Sequence, residues 1–128
     1  MAEKIQTHYD LDVFSRAFDL SMQLFELSKQ FPSEEKYSLT DQLRRASRSV
    51  CSNLAEAWRK RRYEAAFVAK LSDAEAAETQ TWITYSVKCK YLDREIAAPI
   101  HQADDEVIRI LVAMINKPEC WLLKAKDS

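Results

Sequence analysis

Basic residues are concentrated between positions 41 and 62 of the chain. They are Arg44, Arg45, Arg48, Arg59, Lys60, Arg61 and Arg62, opposed in that stretch only by Asp41 and Glu56, although the formal net charge of the whole chain is −1. Guanidinium and ammonium groups hold phosphates through charge-assisted hydrogen bonds, and several of them together hold a nucleic-acid backbone. We therefore expect these side chains to form a binding surface for RNA, DNA or a partner protein.

Two aromatic residues, Trp58 and Tyr63, flank the run of consecutive basic residues from 59 to 62. Aromatic rings beside cations stack on unpaired bases, which favours the nucleic-acid interpretation. The alternative is a solvated charged face, balanced by the acidic runs at residues 34–35 and 104–106. The sequence leaves both interpretations open.

The sequence offers no catalytic motif. The two histidines, His8 and His101, lie far apart, and neither belongs to an H-E-x-x-H or E-x-x-H arrangement that would bind a metal ion. The chain contains no glycine, so a G-x-S-x-G nucleophile elbow and a glycine-rich phosphate loop are both excluded. We expect no catalytic residue, no metal site and no cofactor.

The three cysteines, Cys51, Cys89 and Cys120, are widely spaced and include no C-x-x-C pair, so we expect free thiols. Only Cys51 follows a group of arginines, which would lower the pKa of its thiol. A packed, unreactive thiol is nevertheless the favoured interpretation.

The absence of glycine also predicts the elements that position these side chains. Without the residue that most easily adopts left-handed turns and helix C-caps, a chain should form long helices with few joints. Apolar residues recur at spacings of three and four, which predicts helices over residues 12–30, 39–60, 63–90 and 93–116 of a single domain spanning 1–128, with flexible ends. No stretch is long and apolar enough for a membrane span and no signal peptide is visible, so we expect a cytoplasmic protein.

Two polar residues fall on or beside the predicted apolar faces of the second and third helices. The second helix carries Leu39, Leu43, Ala46, Val50, Leu54 and Ala57, and the third carries Phe67, Leu71, Ala74, Glu78, Thr81 and Tyr85. Glu78 thus lies within one stripe and Asn53 beside the other. A buried polar group without a partner is costly, so each should have one, with Gln42, Arg45 and Gln80 as candidates. We expect Asn53 and Glu78 to form an internal polar layer that sets the helix register, with a small-ligand site as the alternative.

The fourth helix, whose predicted stripe is Ile96, Ile100, Ala103, Val107, Ile110 and Met114, has two further features. Pro99 should either kink it or mark its first turn, after a looser lead-in over residues 93–98. Residues 107–115 are apolar almost all the way round, which a monomer would not expose and which predicts an oligomer.

One segment resembles a known family signature. It reads Tyr37-x-Leu39-Thr40-x-Gln42-Leu43-Arg44-Arg45-Ala46-x-x-Ser49-Val50-x-x-Asn53-Leu54-Ala55-Glu56, and it is supported by Leu11-Asp12-Val13-Phe14-x-x-Ala17 and by Phe31-Pro32-x-Glu34-Glu35. Over residues 10–116 the chain resembles the proteins encoded in intervening sequences of bacterial 23S rRNA genes. It departs from them at Ala57, where a glycine is usual, and near Ala74-Glu75, where a glycine-serine step is usual.

The resemblance implies an all-α, antiparallel up-down-up-down four-helix bundle that assembles as a homopentamer. Relatives include the accessory variability determinants of diversity-generating retroelements, which bind nucleic acid and a reverse transcriptase through a basic surface. We therefore expect a non-enzymatic pentameric scaffold whose basic residues bind RNA, DNA or a nucleoprotein.

Two alternatives remain. In the first, the protein is a protein-binding assembly module whose arginines pair with Asp104 or Asp105 of an adjacent subunit. In the second, it is a bundle that binds a small ligand around Glu78 and Asn53.

Overall fold

The computed structural model describes residues 4–124, and within them the secondary structure is helical throughout. The α-helices are α1 (Asp12–Ser28), α2 (Asp41–Arg59), α3 (Glu64–Ser72), α4 (Ala76–Lys88) and α5 (Arg94–Asn116). Short 3₁₀ turns occur at His8–Asp10, Ser33–Glu35 and Pro118–Cys120, and a π-helical turn at Lys36–Thr40 leads into α2. The outermost residues of the predicted flexible N-terminus and C-terminal tail, 1–3 and 125–128, lie outside the described residues.

The helices form an antiparallel four-helix bundle in which α3 and α4 together make the third arm, so the predicted fold class is confirmed. Helix α1 packs against α2 and α5, while α3 and α4 fill the space between α2 and α5. Side-chain contacts give the directions: Arg44 of α2 reaches Ser28 near the end of α1, whereas Cys51 lies near Phe14 at its beginning. Helices α1 and α2 therefore run in opposite directions.

The core consists of two apolar clusters stacked along the bundle. The first includes Leu11, Phe14, Leu54, Phe67 and Leu111, and the C-terminal residues Trp121 and Leu122 pack against it. The second includes Leu24, Phe31, Leu43, Ile83 and Ile100. Burial of these side chains removes apolar surface from water, at roughly 25 cal/mol per Å², and is the main force that holds the arms together.

The third arm is interrupted at residues 73–75, so the predicted continuous helix over 63–90 is two helices. Side chains of α2 bind the backbone groups that the break releases. Asn53 Nδ2 donates to the Asp73 carbonyl at 3.4 Å, and the Glu75 N–H donates to Ser49 Oγ at 3.0 Å. The break needs neither proline nor glycine because α2 satisfies these groups, and no signal in the local sequence marks it.

The break also changes which face of the third arm is buried. The predicted stripe is correct at Phe67 and Leu71 and wrong beyond Ala74, because Thr81 and Tyr85 are exposed. The buried positions after the break are Ala76, Thr79, Ile83 and Ser86. The step of five residues from Leu71 to Ala76 rotates the face, and Glu78 is therefore only partly buried.

Helix α5 is helical from Arg94, so Pro99 lies inside the helix, and of the two alternatives for this proline the looser lead-in over residues 93–98 is wrong. Pro99 is exposed, which lets water satisfy the carbonyl that its missing N–H leaves free. The buried residues of α5 are Ala97, Ile100, Asp104, Val107, Leu111 and Met114, so Ile96, Ala103 and Ile110 of the predicted stripe are not among them. Val112 remains 47% exposed, and Ile108 and Ile115 are partly exposed.

Candidate functional site

The seven predicted basic residues do not form one site but two patches on the α2 arm. We call Arg44, Arg45 and Arg48 the mid-helix patch, and residues 59–62 the corner patch. An α-helix rises roughly 1.5 Å per residue, which puts Arg48 and Arg59 roughly 16 Å apart along the axis. The spacing of eleven residues is close to three full turns, so these two arginines share one face of α2.

In the mid-helix patch, Arg44 is held by α1. Its Nε donates to Ser28 Oγ at 2.9 Å, and its guanidinium lies over the Phe25 ring at 4.8 Å. Arg48 lies over the same ring at 5.5 Å, and Arg45 donates to Gln42 Oε1 at 2.6 Å. Arg45 and Arg48 are exposed, so these two of the three can reach a partner most easily.

Two grooves meet at Arg48. One has a volume of about 550 Å³ and is lined by Asp41, Arg44, Arg45, Arg48, Ser49 and Ser52. The other has a volume of about 370 Å³, shares Arg48 and Ser52, and is lined by the aromatic residues His8, Tyr9, Phe14 and Phe18. A cationic surface therefore continues into an aromatic one.

The aromatic surface beside Arg48 is not predicted from the sequence. The Phe14 ring lies 5.3 Å from Tyr9 and 6.1 Å from Phe18, and Tyr9 and Phe18 are 67% and 48% exposed. Phe18 projects outward because Ala17 and Leu20 take the buried positions of α1. The available signal in the sequence was the closeness of three aromatic residues, Tyr9, Phe14 and Phe18, at the start of the first helix.

In the corner patch, Arg61 is occupied by its own helix. Its guanidinium lies 3.4 Å from the Trp58 ring centroid, and its Nε donates to the Trp58 carbonyl at 2.8 Å. Burial lowers the pKa of Arg61. One face of Trp58 is thus covered, whereas Tyr63 is 64% exposed and available for stacking.

The C-terminal segment also reaches this corner, since the Leu123 N–H donates to the Arg61 carbonyl at 3.2 Å. Arg59 and Arg62 are exposed, and Lys60 is partly buried. No ion pair involves any corner-patch cation within residues 4–124.

The suggestion that arginines lower the pKa of Cys51 is wrong. The thiol is partly buried, and burial raises its pKa to about 11. Desolvation disfavours the thiolate, and the nearby guanidiniums point to Phe25, Ser28 and Gln42 instead. Cys51 is therefore a packing residue.

Asn53 and Glu78 both lie on the seam between α2 and the third arm, and both are partly buried. Asn53 Nδ2 donates to the Ser49 carbonyl at 2.9 Å as well as to Asp73. Glu78 lies beside Glu75, whose pKa is raised by burial and by the charge of Glu78. Among the residues that the structure describes, one carboxyl oxygen of each glutamate is buried without a hydrogen-bond partner.

The predicted partners of these two residues are engaged elsewhere. Gln42 accepts from Arg45, and Gln80 reaches the His101 carbonyl and Asp105 at 3.4 Å. Arg45 acts on Glu75 only through its charge, which favours the ionised carboxylate.

The fully buried polar groups are others, among them Ser47, Thr79 and Asp104. They lie at the boundary of the two clusters: Ser47 between Leu43 and Val50, Thr79 between Ala76 and Ile83, and Asp104 between Ile100 and Val107. The two hydroxyls donate to carbonyls of their own helices at 3.1 and 2.8 Å. A polar layer thus exists at this boundary.

Asp104 is the unusual member of this layer, because neither carboxyl oxygen has a hydrogen-bond partner within the described residues. Burial, aided by the neighbouring charge of Asp105, raises the pKa of Asp104 to about 7. Since Asp104 is fully buried, it cannot pair with an arginine of an adjacent subunit, and Asp105 already pairs with Arg109 at 2.9 Å. The proposed intersubunit pairing through Asp104 is therefore wrong.

Within residues 4–124, no three histidine, cysteine or acidic side chains converge as metal ligands. In the same part of the chain, no helix combines the length and the apolar character that crossing a membrane requires.

Comparisons with known proteins agree with this architecture. The sequence model of the family described as 23S rRNA-intervening sequence protein matches residues 9–113. A crystal structure of a protein of unknown function from the S23 ribosomal protein family of Bacteroides thetaiotaomicron is similar, with a TM-score of 0.72 and 26% identity over 81% of this chain and 95% of that one. No curated protein matches the chain.

Proposed function

Because the chain belongs to the family of 23S rRNA-intervening sequence proteins, we propose that it is a non-enzymatic cytoplasmic scaffold, a homopentamer with a basic surface that binds RNA, DNA or a nucleoprotein. The observation that carries the proposal is the exposure of Arg45, Arg48, Arg59 and Arg62. None of these four has an ion-pair partner within the described residues.

The arrangement of these arginines suits an extended polyanion better than a small anion. Arg48 and Arg59 share a face of α2 at a separation of roughly 16 Å, which exceeds the reach of one phosphate group. The exposed rings of Tyr9, Phe18 and Tyr63 add surfaces on which unpaired bases stack. In a closed ring, each patch recurs in every subunit, and the field of the repeated patches adds at one rim.

Exposed apolar side chains support the oligomer. Met22 and Ile96 are exposed and face a groove of about 520 Å³ between α1 and α5 that also contains Leu27 and Ile100. A surface with several such groups gains free energy when a second copy covers it. We assign this side of the bundle, rather than the α2 arm, to the contacts between subunits.

The second candidate function is a protein-binding assembly module without nucleic-acid affinity. The net charge of −1 favours it, because a chain without excess positive charge attracts polyanions only through local patches. In this case the four exposed arginines bind acidic residues of a partner. Replacing the arginines with alanine should then lower the mass of the assembly measured by light scattering.

The test is light scattering coupled to size-exclusion chromatography, together with fluorescence anisotropy on labelled single-stranded RNA and DNA. A pentamer should bind the oligonucleotides, and the logarithm of affinity should fall with the logarithm of salt concentration by roughly 0.7 for each phosphate contacted. The variant Arg45→Ala, Arg48→Ala, Arg59→Ala, Arg62→Ala should lose binding and keep the oligomer.

A matched control removes four other exposed cations, at Lys4, Lys36, Lys117 and Lys124. If both quadruple variants weaken binding equally, the effect is one of total charge and the assigned surface is wrong. If the arginine variant instead breaks the oligomer, the assembly module is the correct function.

A further inference from the structure

A small pocket between α4 and α5 combines an apolar floor with a basic rim. Its volume is about 190 Å³, it opens to solvent on one side, and it is lined by Ile83, Thr84, Val87, Lys88, Arg94, Ala97, Ala98 and His101. It lies away from both basic patches of the α2 arm. Its lining also excludes Glu78 and Asn53.

The floor is made of side chains that belong to the bundle core. Ile83 and Ala97 are only 1% and 3% exposed and are members of the second cluster. Val87 is partly buried, and Ala98 borders the opening. Because the residues on the α5 side are alanines, the helices leave a space there that larger side chains would fill.

The rim consists of Lys88 from α4 and of Arg94 and His101 from α5, all exposed. No acidic residue lines the pocket, and within residues 4–124 no hydrogen bond or ion pair occupies these three side chains. Two permanent cations on one small rim repel each other, and a bound anion would remove that repulsion. The rim is therefore complementary to negative charge.

The joint between α4 and α5 brings the two cations to the same rim. Lys90 adopts a left-handed conformation with φ of 67°, and the N–H groups of Tyr91 and Leu92 both donate to the Ser86 carbonyl. The Tyr91 hydroxyl donates to Glu35 Oε2 at 2.9 Å, which ties the joint to the opposite loop. The end of α4, with Lys88, and the start of α5, with Arg94, are thus held together by a tight, well-bonded turn.

We propose that this pocket binds a small organic anion whose apolar body is the size of one aromatic ring. An apolar cavity of about 150 Å³ accommodates benzene, so the volume here suits a ring of that size. The ring occupies the floor over Ile83, Val87 and Ala97, while the anionic group contacts Lys88 and Arg94 and accepts a hydrogen bond from His101. The inference is independent of nucleic-acid binding because it uses different helices.

The experiment is a two-dimensional amide NMR titration of the full chain with four probes: benzoate, phenyl phosphate, neutral benzamide and inorganic phosphate. Benzoate and phenyl phosphate should both shift the amides of residues 83–88 and 94–101 in a saturable manner. Stronger binding of one or the other identifies the anionic group as a carboxylate or a phosphate. Benzamide and inorganic phosphate should each bind at least tenfold more weakly.

Two variants test the two parts of the site. Lys88→Ala with Arg94→Ala should weaken the organic anions at least tenfold, whereas Lys36→Ala with Lys117→Ala should have no effect. Ala98→Phe should close the pocket and abolish binding while the remaining spectrum stays that of the folded protein. Equal binding of benzamide, equal binding of inorganic phosphate, or no saturable shift with any probe would each overturn the proposal.

Discussion

The Arg44 guanidinium lies over the Phe25 ring, with 4.8 Å between the guanidinium carbon and the ring centroid. The same side chain donates to Ser28 Oγ at 2.9 Å and to the Phe25 carbonyl at 3.4 Å. Arg44 thus binds the last turn of α1, where the unpaired carbonyls favour a positive charge. This arginine holds two arms of the bundle together and is less free to bind a partner than Arg45 or Arg48.

The first prediction separates structural from exposed arginines. Arg44→Ala should lower the free energy of unfolding by about 1–2 kcal/mol, since it removes a ring contact and leaves the Ser28 hydroxyl without its charged partner. Arg45→Ala, which removes a hydrogen bond to Gln42 at an exposed position, should cost less than about 0.5 kcal/mol. Urea denaturation of both variants measures the difference, and equal losses would contradict the anchoring role.

The second prediction concerns Lys90, which has a φ of 67° although it is not glycine. A left-handed conformation costs a residue with a Cβ atom roughly 1–2 kcal/mol, and glycine avoids this cost. Glycine also makes the unfolded chain more flexible, which cancels part of the gain in stability. Lys90→Gly should therefore stabilise the protein by about 1 kcal/mol in thermal or urea denaturation. Lys88→Gly, at a helical position, should destabilise it, and stabilisation by both would show that lysine removal alone is responsible.

The third prediction concerns the pH dependence of stability. Burial raises the pKa of Asp104 to about 7 in the folded protein, above its ordinary value of 3.8. Below the ordinary pKa both states are protonated and there is no penalty. As the pH rises toward 7, the unfolded chain releases its proton while the folded chain retains it, so stability falls by up to about 4 kcal/mol and then levels off.

Asp104→Asn removes this titration, so its free energy of unfolding should fall less between pH 4 and pH 7 than that of the natural chain. Denaturation curves at pH 4.5, 5.5, 6.5 and 7.5 measure both slopes. Asp105→Asn removes only the neighbouring charge, the smaller of the two causes that raise the pKa of Asp104, and should therefore reduce the fall only in part. Parallel slopes for Asp104→Asn and the natural chain would mean that Asp104 is already ionised in the fold.

The fourth prediction distinguishes the thiols. Cys89 and Cys120 are exposed, whereas burial raises the pKa of Cys51 to about 11. At pH 8 a disulfide reagent such as dithionitrobenzoate should therefore modify two thiols quickly and the third only on unfolding. Cys51→Ala should leave the amplitude of the fast phase unchanged, and a reduced fast phase would show that Cys51 is reactive.

Much of the bundle follows from local pattern. In the second helix all six apolar positions, from Leu39 to Ala57, are buried as predicted, because α2 is continuous and its 3.6-residue period survives over its whole length. The same rule fails in the third arm, where the break at residues 73–75 shifts the phase. The hydrogen bonds that permit the break come from Ser49 and Asn53, which are distant in sequence.

The candidate site, like the fold, is predicted only in part from the sequence. The clustering of arginines between residues 41 and 62 is visible in the sequence, and so is the aromatic content of the chain. The neighbours of each arginine are not visible in the sequence. Arg44 is held by Phe25 and Arg61 by Trp58, and Arg48 meets the exposed rings of Tyr9 and Phe18 through a shared groove.

The sequence by itself therefore determined the class of fold, the approximate helices and the position of the excess positive charge, because composition and short-range periodicity control these properties. Only the tertiary structure decided which arginines remain exposed, that Asp104 is buried while Glu78 is not fully so, and that Lys88 and Arg94 share one pocket. These properties depend on contacts between residues far apart in the chain. The rotation and closeness of packed helices determine such contacts, and no local pattern encodes them.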